Sequence, residues 1–247
     1  MGSLWRSSPT LVSSATTGVA SANMGRRALA PCEEREYPFL VRATSLTRAL
    51  EAMASMEKGR PYALRLEDEK RRLADDLARI CERAQVKPVV IGGLAVSHHG
   101  YMRVTADVDI LVARRDAVAL YRRLRSEPGW KRYAEGFKNT ELGIGLDICV
   151  EGERTAPRSA EEFPDPARID TIDVDPLPVP TLPELLALKV MSGRARDDAD
   201  VVELLKRHRS RMAALKAAAS RRLRTAEART RLGALVARAR AEAARRS

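Results

Sequence analysis

The feature that most constrains the fold is a pair of acids, Asp107 and Asp109, inside the apolar segment "ADVDILV". Another apolar segment, "VVI" at 89–91, lies upstream and ends at the glycine pair Gly92-Gly93. Runs of β-branched residues favour buried strands, and glycine permits the sharp turn that follows. The stretch therefore predicts two neighbouring strands, with a turn and a short helix between them.

The two acids are expected to share one face of their strand. Residues two apart in a strand project the same way, so Asp107 and Asp109 lie opposite Val108 and Ile110, which face the core. Their Cα atoms are about 6.6 Å apart, so both carboxylates can reach one cation. Without a cation, repulsion and burial would raise a carboxylate pKa, and oxygen ligands favour Mg²⁺ or Mn²⁺. The alternative is a solvated strand on which alternating acids carry no chemistry.

A second pair of acids at the same spacing, Asp173 and Asp175 in "DTIDVDPLPVP", shows that spacing alone is a weak signal. This pair lacks a preceding Gly-Gly turn and runs into prolines, so we assign it to a solvated strand edge. The first pair differs because glycine backbone N–H groups can approach a phosphate and because Asp147 follows in the apolar segment "GLDICV". These elements together predict a phosphate cradle and a three-carboxylate metal site.

With h for an apolar residue, the motifs resemble the nucleotidyltransferase superfamily, whose fold is shared with DNA polymerase beta. Three further patterns are similar to those of a small prokaryotic branch of this superfamily. They are R-x-T-x-D-h-D starting at Arg103, an L-h-x-h-K helix ending at Lys189 and the R-D-x-x-D motif at 196–200. That branch includes AbiEii-type toxins and minimal nucleotidyltransferases. Gly93 departs from the pattern, since many relatives have Ser there. The superfamily motifs match at Gly92-Gly93, Asp107-Val108-Asp109-Ile110 and Leu146-Asp147-Ile148.

The resemblance implies a metal-dependent enzyme that moves an NMP group from an NTP to a hydroxyl of tRNA, protein or a small molecule. A toxin–antitoxin or phage-defence context is part of the same expectation. Asp107, Asp109 and Asp147 would be the catalytic, metal-binding residues, with Mg²⁺ or Mn²⁺ as cofactor. The implied nucleotide-binding residues are Gly92, Gly93, Arg103, Thr105 and Lys189.

Three of these residues also have a structural alternative. Arg103 can be a surface cation, Thr105 a good strand former, and Lys189 a residue on a solvated helix face. The adjacent His98 and His99 point in different directions on a helix, so both cannot serve one site.

The predicted fold class is α/β (α+β), with a mixed β-sheet flanked by helices, a helical C-terminal region and a disordered N-terminus. We place the N-terminal extension at 1–44, the core with its leading helix at 45–180 and the helical region at 181–247. The extension is rich in Ser, Thr, Ala and Arg, so disorder, a transit peptide and a start codon assigned too early all remain open.

Local patterns predict further elements of the core. Asp116 is expected to cap a helix whose inner side carries Val118, Leu120, Tyr121 and Leu124. A capping box at Thr181 and Glu184 opens a helix that ends near Gly193. The other predicted segments are a helix at 94–99, strands at 104–112, 130–133 and 143–150, a polar loop at 151–170 and a continuous helical pattern at 206–247.

The net charge of +11 is concentrated at the C-terminus, where residues 206–247 contain 14 Lys and Arg against two Glu. Basic surfaces attract nucleic acid, so tRNA or other RNA is a candidate partner of this tail. The second hypothesis is a non-catalytic nucleic-acid or partner-binding protein on a nucleotidyltransferase scaffold. The alternative for the tail is a helix packed on the body through Leu215, Leu223, Leu232 and Leu235.

The three cysteines, Cys32, Cys81 and Cys149, fit neither a disulfide framework nor a metal-binding spacing. No apolar run approaches the roughly 18 residues that a membrane span requires. We therefore expect a cytoplasmic protein with reduced thiols and no membrane role.

Overall fold

The computed structural model describes residues 62–245 apart from 104, 106, 135 and 158. The predicted extension 1–44 and the first part of the predicted leading helix lie outside the described residues. The described helices are α1 (Tyr62–Ala84), α2 (Gly92–His98), α3 (Arg114–Ser126), α4 (Leu182–Ser192), α5 (Ala195–Arg207), α6 (Met212–Ser220) and α7 (Ala226–Ala244). The described strands are β1 (Val89–Ile91), β2 (Asp107–Val112), β3 (Trp130–Tyr133), β4 (Gly136–Asn139), β5 (Ile144–Val150), β6 (Thr171–Ile172) and β7 (Val179–Pro180).

Five strands form one mixed sheet in the order β1-β2-β5-β4-β3. Strands β2 and β5 pair in parallel, whereas the other neighbours in this sheet are antiparallel. Strands β6 and β7 form a separate two-stranded sheet. The predicted fold class, a mixed sheet flanked by helices, is thus confirmed, while the predicted boundary at 180 stays a prediction.

One face of the large sheet carries the apolar core. Val108 and Ile110 of β2 and Leu146 of β5 are buried, as the period of two in a strand requires. Phe137 of β4 lies on the same face, and its ring is 5.6 Å from that of Tyr121 in α3. Helix α3 therefore covers this face, so the acids on the opposite face are free to form a site.

Several predicted boundaries were wrong. Helix α2 begins at Gly92 itself, and β2 begins at Asp107 rather than at 104. Asp116 is not an N-cap, because α3 begins at Arg114, whose N–H donates to the Glu151 carboxylate over 3.1 Å. A carboxylate distant in sequence thus takes the capping role. Val118, predicted to face inward, is 66% exposed.

Two other predictions failed, the first because of a tertiary contact and the second because the local signal is weak. The side chain of Thr181 makes no capping hydrogen bond, and Glu184 instead pairs with Arg222 over 2.6 Å. The strand β4 was missed because "GFKN" is short and carries a glycine and a charge. Helix α4 does end as predicted, with Gly193 in the left-handed conformation that favours glycine.

The C-terminal basic segment is not one continuous helix. A 3₁₀ turn at Arg209–Arg211 separates α5 from α6, and residues 221–225 separate α6 from α7. The packing alternative is confirmed, since all four leucines predicted to face the body are buried. Part of its charge is paired with acids, because Arg231 contacts Asp198 and Lys206 contacts Glu242 over 2.9 Å. None of the helices in the described part of the chain has the length and apolar character that crossing a bilayer requires.

Candidate active site

The three predicted catalytic acids lie on one face of two adjacent strands. Asp109 is the register partner of Asp147 in the parallel pairing of β2 with β5, and Asp107 is the partner of Gly145. Neighbouring strands are about 4.8 Å apart, so the three carboxylates share one small area of the sheet. Asp107 and Asp109 are half-buried, whereas Asp147 is exposed. The structure therefore brings the predicted acids together, with Asp147 on the open side.

Glycines provide the space that these carboxylates occupy. Gly92 has a φ of +64°, and a Cβ added there would lie 1.8 Å from the Asp109 Oδ2 atom. The backbone N–H of Gly93 donates a hydrogen bond to Asp109. A Cβ on Gly145 would likewise lie 2.3 Å from the Asp107 Oδ1 atom. The glycine pair thus positions the Asp109 carboxylate, and its contact with phosphate stays a prediction.

Gly145 was missed by the sequence reasoning, although a signal for it exists. It lies two residues before Asp147 in the same strand, so period-two alternation places it on the face of the acids. A glycine at such a position in a strand often marks the close approach of another group.

The acid cluster carries unfavourable negative charge. Burial is the main cause that raises the pKa of Asp109 to about 6, and the neighbouring charges of Asp147 and Asp107 contribute to this rise. The Lys189 ammonium and the Gly93 N–H oppose this rise. A cation bound between the carboxylates would relieve both the repulsion and the cost of burial.

Lys189 lies in a buried ion network rather than on a solvated helix face. Its Nζ atom is 2.5 Å from Asp197 Oδ1 and 3.0 Å from Asp200 Oδ2. Asp200 also accepts two hydrogen bonds from Arg103, from Nε at 2.7 Å and from Nη2 at 2.9 Å. The Arg103 side chain is only 14% exposed, so the surface-cation alternative for it is wrong as well. Asp200 therefore holds both predicted nucleotide-binding cations.

Arg103 keeps one N–H group free. Its Nη1 atom is buried and has no hydrogen-bond partner among the described residues. Thr105 has a local role, since its hydroxyl donates to the Asp107 carbonyl over 3.2 Å and its side chain packs against Gly93. An unpaired guanidinium N–H beside an open cleft is suited to receive an anionic oxygen.

All the predicted site residues line one cleft of about 800 Å³. The cleft is also lined by residues that the sequence reasoning did not assign to a site, including Cys149, Thr155, Ser192 and Arg194. Thr155 is buried and donates to the Met191 carbonyl over 2.8 Å, which ties the predicted polar loop to α4. Nothing in the local sequence signals that contact, because the two residues are brought together only by the fold.

Cys149 is a poor candidate for a nucleophile. It lies two residues after Asp147, on the same strand face. Burial is the main cause that raises the pKa of its thiol to about 12, and the charges of Asp109 and Asp147 contribute to this rise. Because the thiolate is the nucleophilic form, the cleft contains an unreactive thiol beside its acids.

The histidine pair and the second pair of acids lie elsewhere. Neither His98 nor His99 lines the cleft, and the His99 Nε2 atom is 2.8 Å from the Pro180 carbonyl oxygen. Burial lowers the pKa of His99. Asp173 and Asp175 are exposed, as predicted, but they follow the short strand β6 instead of lying within a strand.

The acids fit a hard divalent cation by their chemistry. Within residues 62–245, apart from the four undescribed positions, no three His, Cys, Asp or Glu side chains are grouped closely enough to hold a metal ion together. The donor set of Asp107, Asp109 and Asp147 nevertheless consists only of oxygen, which Mg²⁺ and Mn²⁺ prefer. After burial, the charge of Asp147 is the next cause of the raised pKa of Asp109, and a bound cation would neutralise this charge.

No protein-family model matches this chain, and neither does any curated protein. Among solved structures, the chain is similar to an antigenic nucleotidyltransferase-like protein from Paracoccidioides brasiliensis, at 16% identity and a TM-score of 0.43, over 69% of this chain and 88% of that one. The crystal structure of ANT(2'')-Ia in complex with adenylyl-2''-tobramycin matches at 11% identity and a TM-score of 0.40, over 62% and 98%. The solution structure of the antibiotic-resistance factor ANT(2'')-Ia matches at 14% identity and a TM-score of 0.34, over 60% and 95%.

These likenesses are distant, so the function proposed below rests on the residues of the site. The AbiEii-type branch stays a prediction.

Proposed function

We propose that this protein is a metal-dependent nucleotidyltransferase that moves an NMP group from an NTP to a hydroxyl acceptor and releases pyrophosphate. One observation carries the proposal. Three carboxylates share a sheet face in a cleft that also contains two cations, the half-buried Arg103 and the buried Lys189. Acids that bind divalent metal beside cations that bind phosphate are the requirements of phosphoryl-transfer chemistry.

In this proposal Asp107, Asp109 and Asp147 hold Mg²⁺ or Mn²⁺. When bound, the metal ions neutralise the charge of the entering and leaving oxygens. The free Nη1–H of Arg103 donates to a phosphate oxygen of the NTP, and Gly92 and Gly93 bring backbone close to the same group. Lys189 also offsets the charge on Asp109, whose pKa it lowers.

The transfer forms one bond and breaks one bond. The acceptor hydroxyl oxygen attacks the α-phosphorus, and the bond from that phosphorus to the bridging oxygen of the β-phosphate breaks, so pyrophosphate leaves. Asp147 accepts the hydroxyl proton, since it is the exposed member of the acid cluster and faces the open side of the cleft. Arg103 donates to the departing phosphates as their charge develops.

The test is nucleotide transfer by the purified full chain. Each labelled NTP is incubated with Mg²⁺ or Mn²⁺ and with total tRNA, protein or small-molecule extracts, and labelled products are separated. Asp147→Asn should reduce transfer by at least about 100-fold, because it removes both a metal ligand and the proton acceptor. The matched control is Asp173→Asn, which changes an exposed acid of the other D-x-D pair and should keep full transfer.

Two results would contradict the proposal. Transfer that persists in Asp147→Asn would place the chemistry elsewhere. An absence of transfer and of metal-dependent NTP binding would favour the alternative, a non-catalytic nucleic-acid or partner-binding protein on this scaffold. A toxin–antitoxin or phage-defence role is a separate proposal, which predicts growth arrest on expression of the wild type and not of Asp109→Asn.

A further inference from the structure

The face of the sheet that carries the acids continues beyond them onto β4 and β3. Gly145 of β5 pairs with Asp107 on one side and with Lys138 of β4 on the other. Lys138 in turn pairs with Lys131 of β3. Because register partners project from the same face, the two lysines share the face of the acids.

Tyr133 belongs to the same face. It lies two residues after Lys131 in β3, and the Lys138 Nζ atom is 5.5 Å from the centre of its ring. The Tyr133 side chain is 59% exposed. Together, Lys131, Tyr133 and Lys138 form what we call the basic–aromatic face, immediately beside the carboxylates.

The opposite side of the same strands contributes large side chains to the core. Trp130 is 5% exposed, and its indole N–H donates to Asp76 of α1 over 2.8 Å. Phe137 is 1% exposed and contacts Tyr121 of α3. The core therefore does not require the residues of the basic–aromatic face, which point away from it.

Protection of the sheet edge explains only part of this face. Lysines on an edge strand prevent pairing with other chains, and Lys131 of the edge strand β3 can serve that purpose. Lys138 lies on β4, which is paired on both sides, and an exposed tyrosine does not protect an edge. Alternating cations and an exposed ring are the features with which proteins bind single strands, since phosphates contact the cations and bases stack on the ring.

We propose that the basic–aromatic face binds single-stranded nucleic acid and directs its terminal hydroxyl to Asp147. The inference rests on the proposed function, since it identifies the acceptor of that reaction. Strands β4 and β3 are one and two strands away from β5, which corresponds to about 5 and 10 Å. A chain whose end lies at Asp147 can therefore place its preceding nucleotides against Lys138, Tyr133 and Lys131.

The experiment measures binding of 5′-labelled single strands of about 12 nucleotides by fluorescence anisotropy, without NTP. Parallel RNA and DNA probes identify which polynucleotide binds more tightly. The variants are Lys131→Ala with Lys138→Ala, Tyr133→Ala and Tyr133→Phe. The control is Lys216→Ala with Arg221→Ala, two exposed cations of the C-terminal basic segment. Thermal unfolding of each variant verifies that it is folded.

The double lysine variant should raise Kd at least tenfold and lower the slope of log K against log salt by about 1.4, since two phosphate contacts are lost. Tyr133→Ala should raise Kd by about 5- to 150-fold, whereas Tyr133→Phe keeps the stacking ring and should bind almost as the wild type does. The control pair should leave Kd within about twofold, because this proposal gives it no role.

Unchanged binding in the lysine and Tyr133→Ala variants would overturn the inference. A loss of binding confined to Lys216→Ala with Arg221→Ala would also overturn it, since nucleic acid would then bind the C-terminal segment. An absence of binding to both the RNA and the DNA probe would overturn it as well. Metal-dependent NTP binding by the wild type is measured in parallel. If single strands bind through this face but no NTP binds, the proposed function fails while the binding surface is confirmed.

Discussion

Replacing Asp109 with Asn should stabilise the protein in the absence of divalent metal, and the gain should depend on pH. Asp109 is buried beside Asp147 and Asp107, and its pKa in the fold is about 6 against an ordinary value of 3.8. Asn is neutral at every pH and retains an oxygen that can accept the Gly93 N–H. The substitution therefore removes the buried charge while keeping the local packing.

The sign follows from proton linkage. The folded state binds the Asp109 proton more tightly than the unfolded chain does, so stability is greatest below the unfolded pKa and falls as pH rises through the folded pKa. The full shift corresponds to about 3 kcal/mol at high pH. Between about pH 4.5 and pH 8, the advantage of Asp109→Asn over the wild type should grow by about 2 kcal/mol.

Urea denaturation followed by tryptophan fluorescence measures this difference, because Trp130 is buried against α1 in the fold. At pH 8, Mg²⁺ or Mn²⁺ should stabilise the wild type by binding the folded state, and Asp109→Asn should respond far less. Asp173→Asn is the control, since that acid is exposed. An advantage of Asp109→Asn that is the same at both pH values would refute the charge argument, and equal responses to metal would refute the assignment of Asp109 as a ligand.

Other substitutions test the remaining features of the site. Asp200→Asn should cost about 3–5 kcal/mol of unfolding free energy, since Arg103 and Lys189 lose the acid that they share. In the same denaturation assay, Asp198→Asn should cost about 1 kcal/mol, because the pair of Asp198 with Arg231 is partly exposed. Gly92→Ala should abolish transfer because its Cβ would overlap the Asp109 carboxylate, while Gly143→Ala, with a similar φ of +67° and no atom within 4 Å of the added Cβ, should keep it. The Cys149 thiol, with a pKa of about 12, should resist iodoacetamide in the native protein at pH 8 and react after denaturation, as peptide mass spectrometry would show. Three results would contradict these predictions. Retained transfer in Gly92→Ala would contradict the overlap with Asp109, equal costs of the two Asp substitutions would contradict the shared role of Asp200, and rapid alkylation of the native protein would contradict the high pKa of Cys149.

Much of the site was predictable from local patterns. The period of two in a strand places Asp107 and Asp109 on one face whatever the rest of the chain does. The αL position of Gly193 follows from local helix-ending chemistry, and it was predicted correctly. The prediction that Asp116 caps α3 was wrong because the contact at the start of this helix is not local. Glu151, from the end of β5, reaches the start of α3, and no local pattern reports such a contact.

Arg103 shows more clearly that local sequence patterns do not report tertiary contacts. Arg103 and Asp200 are 97 residues apart in the chain, and their bidentate contact makes Arg103 a half-buried, paired residue rather than a surface cation. The charge count of the C-terminal segment likewise takes no account of the acids that helices α4 and α5 present to Arg222 and Arg231. Charge is additive along a sequence, but its effect depends on which opposite charges the fold places beside it.

By itself, the sequence determined the types of most elements and the shared face of Asp107 and Asp109, because these depend on strand periodicity and on backbone preferences over a few residues. Only the tertiary structure decided that β5 pairs in parallel with β2, which sets Asp147 opposite Asp109. The tertiary structure alone also extended that face through β4 to Lys131 and Tyr133. Strand order and register depend on how all the elements pack together, and that information is not contained in any short segment.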